Sequence, residues 1–243
     1  MERADTVYFV DPNTGTHMNA LSLTLVSALL CLELSAATAA QPALRTLEYK
    51  ETIRIACVGD SITFGAGVEN RDVNNYPVVL GKLLGDKFQT RNFGVSGATL
   101  LKQGDLPYWK LSAFKDASDY QPHAVVIKLG TNDSKPQNWK HKEDFANDLR
   151  ALVDHFKNLP THPKIWLCLP VPVYEDKWGI NEPVVKGEVI PIIKQVAKEK
   201  GLPTIDLYTA LSNHAEMFPD KIHPNAAGAA LLAKTIQAAL LGK

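Results

Sequence analysis

Five short apolar runs recur along this chain after residue 50, and they limit the fold more than any other feature. They read IRIACVG (53–59), FQTRNFG (88–94), AVVIKLG (124–130), KIWLCLPV (164–171) and PTIDLY (203–208). Most lack the apolar/polar alternation of a half-exposed strand, so they are predicted to be buried on both faces, as strands of parallel sheets are. Segments with helical period lie between them: YPVVLGKLLGDK after the first, KEDFANDLRALVDHFKNL after the third, EPVVKGEVIPIIKQVAKEKG after the fourth, and NAAGAALLAKTIQAALLGK after the last. Strands that alternate with helices make βαβ units, so an α/β fold with a parallel sheet covered on both faces is expected. Pro77 suits a first helical turn, where its missing N–H costs nothing. Gly201 suits a C-terminal stop after Lys198 and Lys200. Pro191, inside the third of these helical segments, predicts a kink or a break.

With 243 residues and no internal repeat, low-complexity tract or linker, residues 50–243 are expected to form one domain. The first forty residues differ in character. Residues 1–17 read as an upstream extension without regular structure. Residues 18–40, MNALSLTLVSALLCLELSAATAA, end in the small-residue pattern Ala37-Thr38-Ala39 and read as a signal peptide beginning at Met18. That makes the protein exported, periplasmic or secreted. The alternative is an N-terminal hydrophobic helix, because a basic start is missing and Glu33 interrupts the run. The run is too short and too interrupted for a stable membrane span, which needs about 20 residues.

Lys and Arg together number 26, as do Asp and Glu, so the formal net charge is zero and no nucleic-acid partner is expected. Cys31, Cys57 and Cys168 are too few and too scattered for a disulfide framework or a metal site. Cys57 and Cys168 fall in strand-like runs, where a free thiol serves as a small hydrophobe.

In an open parallel sheet, ligands bind outside the carboxyl ends of the strands. Gly59-Asp60-Ser61 follows the first strand, NFGVSGATL the second, GTNDS the third and DKIHPN the fifth. Alone, Ser61 would be an N-cap, Gly97 a turn residue, Asn132-Asp133 an Asx-turn, and Asp220 with His223 a surface pair. Together they supply every role that ester hydrolysis by a serine requires. Ser61 at a strand-to-helix turn is the candidate nucleophile. His223 is the candidate base and Asp220, three residues earlier, orients it. The Ser61 N–H, the Gly97 N–H and the Asn132 side-chain amide are the candidate oxyanion donors. Pro224 restricts His223 to an extended backbone and is expected to begin the last helix. Asp60, Asp133 and Asp206 are expected to bind loop N–H groups rather than to react. No cofactor and no metal are expected.

The blocks GDSITFG, NFGVSG, GTND and DKIHP resemble those of the GDSL or SGNH hydrolase family, in the family's order and over residues 53 to 233. The first block has Ile where the family name has Leu. The resemblance implies a flavodoxin-like three-layer α/β/α sandwich with a five-stranded parallel sheet. It also implies Ser61 as nucleophile, His223 as base, Asp220 as its partner, and Gly97 and Asn132 in the oxyanion hole.

Trp109, Trp139 and Trp178 follow the second, third and fourth strands, with Tyr174 nearby. On the site rim these rings would stack on sugars, whereas as plain packing residues they would pin loops to the core. A short acyl group, acetyl first, on a small-molecule or polysaccharide carbohydrate ester is the expected substrate. SKPQNWKHK and YEDKWGINEP supply polar side chains for its hydroxyls. The alternatives are a lysophospholipase or thioesterase of the same family, or a catalytically silent carbohydrate-binding protein.

Overall fold

The computed structural model describes residues 43–243. The extension at 1–17, the apolar segment at 18–40 and Cys31 lie outside them.

Five parallel strands form one sheet in the order β2-β1-β3-β4-β5. They are β1 (Ile53–Gly59), β2 (Phe88–Gly94), β3 (Ala124–Lys128), β4 (Lys164–Leu169) and β5 (Thr204–Asp206). Successive side chains of a strand point to opposite faces, and β1 shows the result. Ile53, Ile55 and Cys57 enter one apolar layer, and Ala56 and Val58 enter the other. β3 is buried end to end and β1 everywhere but at Arg54, and each fully buried Val, Leu or Ile contributes roughly 1.5–3 kcal/mol relative to exposure.

Helix α1 (Ser61–Phe64) is a single turn directly after β1. On one face of the sheet lie α2 (Tyr76–Leu84) and α6 (Ala226–Leu241), which bury Leu80, Leu232 and Ile236. On the other face, α3 (Ser112–Asp119), α4 (Phe145–Lys157) and α5 (Ile190–Lys200) bury Ala117, Leu152, Phe156 and Val196. The result is the expected three-layer sandwich of flavodoxin-like strand order, with its topological switch point between β1 and β3.

Local chemistry explains most helix ends. Asn75 caps α2 by accepting from the Val78 N–H at 3.1 Å, with Pro77 in the first turn, and Gly201 closes α5 at φ 64°. At Pro191 the helical run continues without a break: a π-helical turn at Val185–Val189 leads directly into α5 with Ile190 in helical conformation, and Pro191 stands in the first turn of α5. Several expectations needed correction. β4 ends at Leu169 rather than at residue 171. β3 ends at Lys128 rather than at residue 130, because Gly130 turns away at φ 115°. β5 stops at Asp206, whose carboxylate accepts the Thr209 N–H at 2.8 Å and starts a short helix at Leu207. Helix α3, the crossover from β2 to β3, was not anticipated at all.

Cys57 and Cys168 are free and buried, and burial pushes the Cys57 thiol up to about 12, so neither supplies a thiolate. Among the described residues, no helix is long and apolar enough to cross a membrane.

Candidate active site

The carboxyl ends of the strands build the site. At the end of β1 the chain must turn at once into α1, and the space at Gly59 admits no side chain. A Cβ there would overlap Thr63 and stand 2.6 Å from the Lys128 carbonyl oxygen. Asp60 then caps α1, accepting the Ile62 N–H at 3.0 Å, which sets Ser61 at the first helical position. Gly65 ends the helix after one turn at φ 93°.

His223 arrives from the other end of the chain on a tight turn in which Lys221 adopts φ 74°. One carboxylate oxygen of Asp220 accepts the Ile222 and His223 amides at 2.9 and 2.7 Å, and the other stands 2.7 Å from His223 Nδ1. His223 Nε2 lies 2.8 Å from Ser61 Oγ. Burial alone would raise the Asp220 carboxyl, but the two amides and the ring outweigh it and hold the group below the ordinary carboxylate value. Asp220 is therefore an ionised acceptor, so the neutral ring carries its proton on Nδ1 and turns a lone pair on Nε2 toward the serine hydroxyl. Pro224 is buried but stands outside α6: Asn225 caps that helix by accepting the Gly228 N–H at 3.0 Å.

Ser61 and His223 open onto a cleft of about 360 Å³ that is also lined by Gly97, Asn132, Lys135 and Trp178, with Ala66 and Ile180 as apolar wall. Gly97 sits at φ 86°, a conformation that favours glycine, on the turn after β2. Among the described residues, the backbone N–H groups of Ser61 and Gly97 donate to no protein acceptor. The buried Asn132 amide donates to the Ala98 carbonyl at 3.2 Å, which fixes its orientation and leaves its second hydrogen free. The neighbouring Asp133 accepts the Leu100 and Leu101 amides at 3.0 and 2.8 Å and ties the loop after β3 to the loop after β2. Burial pushes the Asp133 carboxyl up to about 7 in spite of those two bonds.

Of the four aromatic residues expected on the rim, Trp178 alone lines the cleft. It is 57% exposed, at φ 53°, with its ring centroid 5.6 Å from that of His223. Trp139 is 7% exposed and packs on Phe145 in the core, because the helical turn Pro136–Trp139 directs it inward. Trp109 donates its indole N–H to the Leu100 carbonyl at 2.9 Å and packs against Phe114. Tyr174 donates to the Leu211 carbonyl and packs its ring at a tilt against Phe218. These three pin loops to the core. Lys135 and Ile180 come from the two polar segments but were not singled out in the sequence. Lys128 was missed altogether. It ends an otherwise apolar strand and is fully buried, with Nζ donating to both Asp60 oxygens at 3.1 and 2.9 Å and to Thr131 Oγ1 at 2.8 Å. A lysine closing a buried β-run two residues before GTND was the available signal.

A five-stranded parallel sheet in this order, carrying a serine, an imidazole and a carboxylate in series at its carboxyl edge, defines a doubly wound α/β protein with the apparatus of a serine hydrolase. The chain belongs to the GDSL-like lipase/acylhydrolase family, whose model matches residues 57–231. It is 41% identical over 209 residues to a protein from Xylanibacter ruminicola named acetylxylan esterase, a match that covers 79% of this chain and 44% of that one. A solved acetyl xylan esterase shares the fold with a TM-score of 0.61 at 22% identity, covering 77% of this chain and 100% of the other. A two-domain esterase active on acetylated mannans matches with a TM-score of 0.58 at 25% identity, covering 78% of this chain and 48% of its own. The chain spans less than half the length of the curated relatives it matches.

Proposed function

We propose that this chain is a carboxylic ester hydrolase that removes acetyl groups from a carbohydrate through an acyl-enzyme on Ser61. The observation that carries the proposal is the unbroken series from Asp220 through His223 to Ser61 Oγ, with contacts of 2.7 and 2.8 Å. His223 Nε2 takes the serine proton as Oγ attacks the ester carbonyl. The oxyanion receives hydrogen bonds from the Ser61 and Gly97 N–H groups and from the Asn132 amide. Collapse expels the sugar oxygen, which takes the proton back from His223. Water, activated by the same ring, then releases acetate. Asp220 stays ionised throughout and stabilises the imidazolium.

The cleft is near the small end of ordinary ligand sites, which run from about 300 to 1,000 Å³, and this favours a short acyl group. The exposed face of Trp178 beside His223 offers a platform for a pyranose ring on the leaving-group side. Similarity to a protein named acetylxylan esterase supports an acetylated plant polysaccharide as the substrate class. We take the enzyme to act outside the cytoplasm, where such polymers are met; the apolar segment at 18–40 supports export.

The test is acetate release from acetylated xylan and acetylated mannan, together with p-nitrophenyl esters from acetyl to palmitoyl, by wild type and by Ser61→Ala. Release from a polysaccharide, lost in Ser61→Ala and falling steeply beyond a few acyl carbons, is expected. Fastest turnover of long acyl chains would favour the lysophospholipase or thioesterase alternative. Negligible turnover by both folded proteins would leave a carbohydrate-binding protein.

A further inference from the structure

Among the described residues, Lys128 is the one charged side chain with no exposure at all that donates a hydrogen bond to the turn bearing Ser61. In the β1·β3 ladder it stands opposite Gly59, so its side chain starts directly beneath the turn into α1. All three ammonium donors are used. Two go to Asp60, the cap of α1, and the third goes to Thr131, which precedes Asn132. The Thr131 carbonyl in turn accepts the Ser134 hydroxyl at 2.7 Å, and Ser134 Oγ accepts the Asn181 N–H at 3.1 Å. One polar chain thus links the nucleophile turn, the Asn132 loop and the loop that carries Trp178.

We propose that Lys128 is a positioning residue for the esterase reaction, fixing the Ser61 turn against the Asn132 loop and neutralising the Asp60 carboxylate beside the point where the oxyanion forms. The proposal rests on the catalytic reading of Ser61 given above. Two physical arguments support it. Oxyanion donors act without reorganisation only if their spacing is set beforehand, and the Ser61 N–H and the Asn132 amide belong to segments that the Lys128 side chain bridges directly. A buried ion pair is also weak evidence for stability, since apolar groups of equal volume often serve as well. A lysine kept at zero exposure in a sheet core therefore calls for a role beyond holding the fold. Here the pair also answers an electrostatic need. Without Lys128, the Asp60 charge would repel the negative charge developing at the substrate carbonyl, through a medium that screens it poorly.

The test compares Lys128→Met, the double variant Asp60→Asn/Lys128→Met, and Thr131→Val with wild type on p-nitrophenyl acetate, reading kcat, KM and melting temperature, with Ser61→Ala as control. The double variant removes both buried charges and so avoids an unpaired carboxylate. It is expected to melt near wild type while kcat falls about 10²-fold with KM nearly constant, the scale of a misplaced catalytic group. Thr131→Val keeps the ion pair and cuts only the link to Asn132; it should lower kcat about tenfold, with a modest fall in melting temperature from the ammonium hydrogen left without its acceptor. If the double variant fails to fold, Thr131→Val decides alone. A folded Thr131→Val or double variant with kcat within twofold of wild type would reduce Lys128 to a packing role and overturn the proposal. Retained activity in Ser61→Ala would instead overturn the assignment of the nucleophile, a separate failure.

Discussion

Replacing Asp220 by Asn changes one atom of the site, and the surrounding hydrogen bonds dictate which way the amide turns. Two backbone amides converge on one oxygen of Asp220, from Ile222 at 2.9 Å and from His223 at 2.7 Å. An –NH2 placed there would face two donors, so the Asn oxygen takes that position and the –NH2 points at His223 Nδ1. The ring must then accept at Nδ1 and carry its proton on Nε2, facing Ser61 Oγ with a hydrogen where a lone pair is needed. The protein keeps its shape and loses its base. Loss of the working tautomer in a site of this kind lowers kcat by roughly 10³- to 10⁴-fold, equivalent to about 4–5.5 kcal/mol of transition-state stabilisation. Initial rates on p-nitrophenyl acetate, with the melting temperature as a check on folding, measure the effect. KM should stay within a few-fold of wild type, because Asp220 does not line the cleft. A folded Asp220→Asn enzyme that keeps more than a tenth of wild-type kcat would refute the tautomer argument, and with it the role given to the 2.7 Å contact on Nδ1.

Two further outcomes follow from side chains away from the reacting atoms. Trp178→Ala should raise KM on acetylated xylan several-fold and leave turnover of p-nitrophenyl acetate nearly unchanged, because a small aryl ester needs no sugar platform; equal effects on both substrates would remove Trp178 from recognition. Asp133 concerns stability: its folded value of about 7 lies above the ordinary carboxylate value of 3.8, so the folded protein binds more protons than the unfolded chain between those limits. Its contribution to stability is therefore full below about pH 4 and is lost as pH rises through 7. Asp133→Asn should flatten that part of the melting-temperature profile, and a wild-type-minus-variant difference that stays constant from pH 4.5 to pH 7.5 would sink the assignment.

The three central strands were legible because they are buried on both faces, and burial on both faces leaves continuous apolar runs in sequence; the edge strand β2, half exposed, also matches its predicted limits at both ends, as β1 does. Strand ends were less legible. β3 and β5 stop where Gly130 turns away and where Asp206 captures a backbone amide, and neither event alters the hydropathy that a sequence window reads. Helix α3 escaped because SAFKDASD is short and buries little more than Ala117. Within the site, residues fixed by local backbone chemistry were readable from spacing: Ser61 after Gly59-Asp60, His223 after Asp220. Residues whose role depends on where a side chain points were not. Trp139 and Trp178 look alike in sequence, yet one turns into the core and the other stands over His223. Lys128 was hidden for the same reason, since its partners lie in Asp60, 68 residues back, and in the turn after its own strand.

The contact between Ser61 and His223 joins positions 162 residues apart. No fragment that stops short of the DKIHP turn contains both halves of that contact, and the turn is itself held by the cap of the helix that follows. Every intermediate strand must find its place in the sheet before the two side chains meet. On the proposed mechanism, turnover is thus a report on completed assembly: a partly folded chain displays its serine as an inert alcohol, and a newly made molecule gains activity only when its first and last strands have been brought into a single sheet.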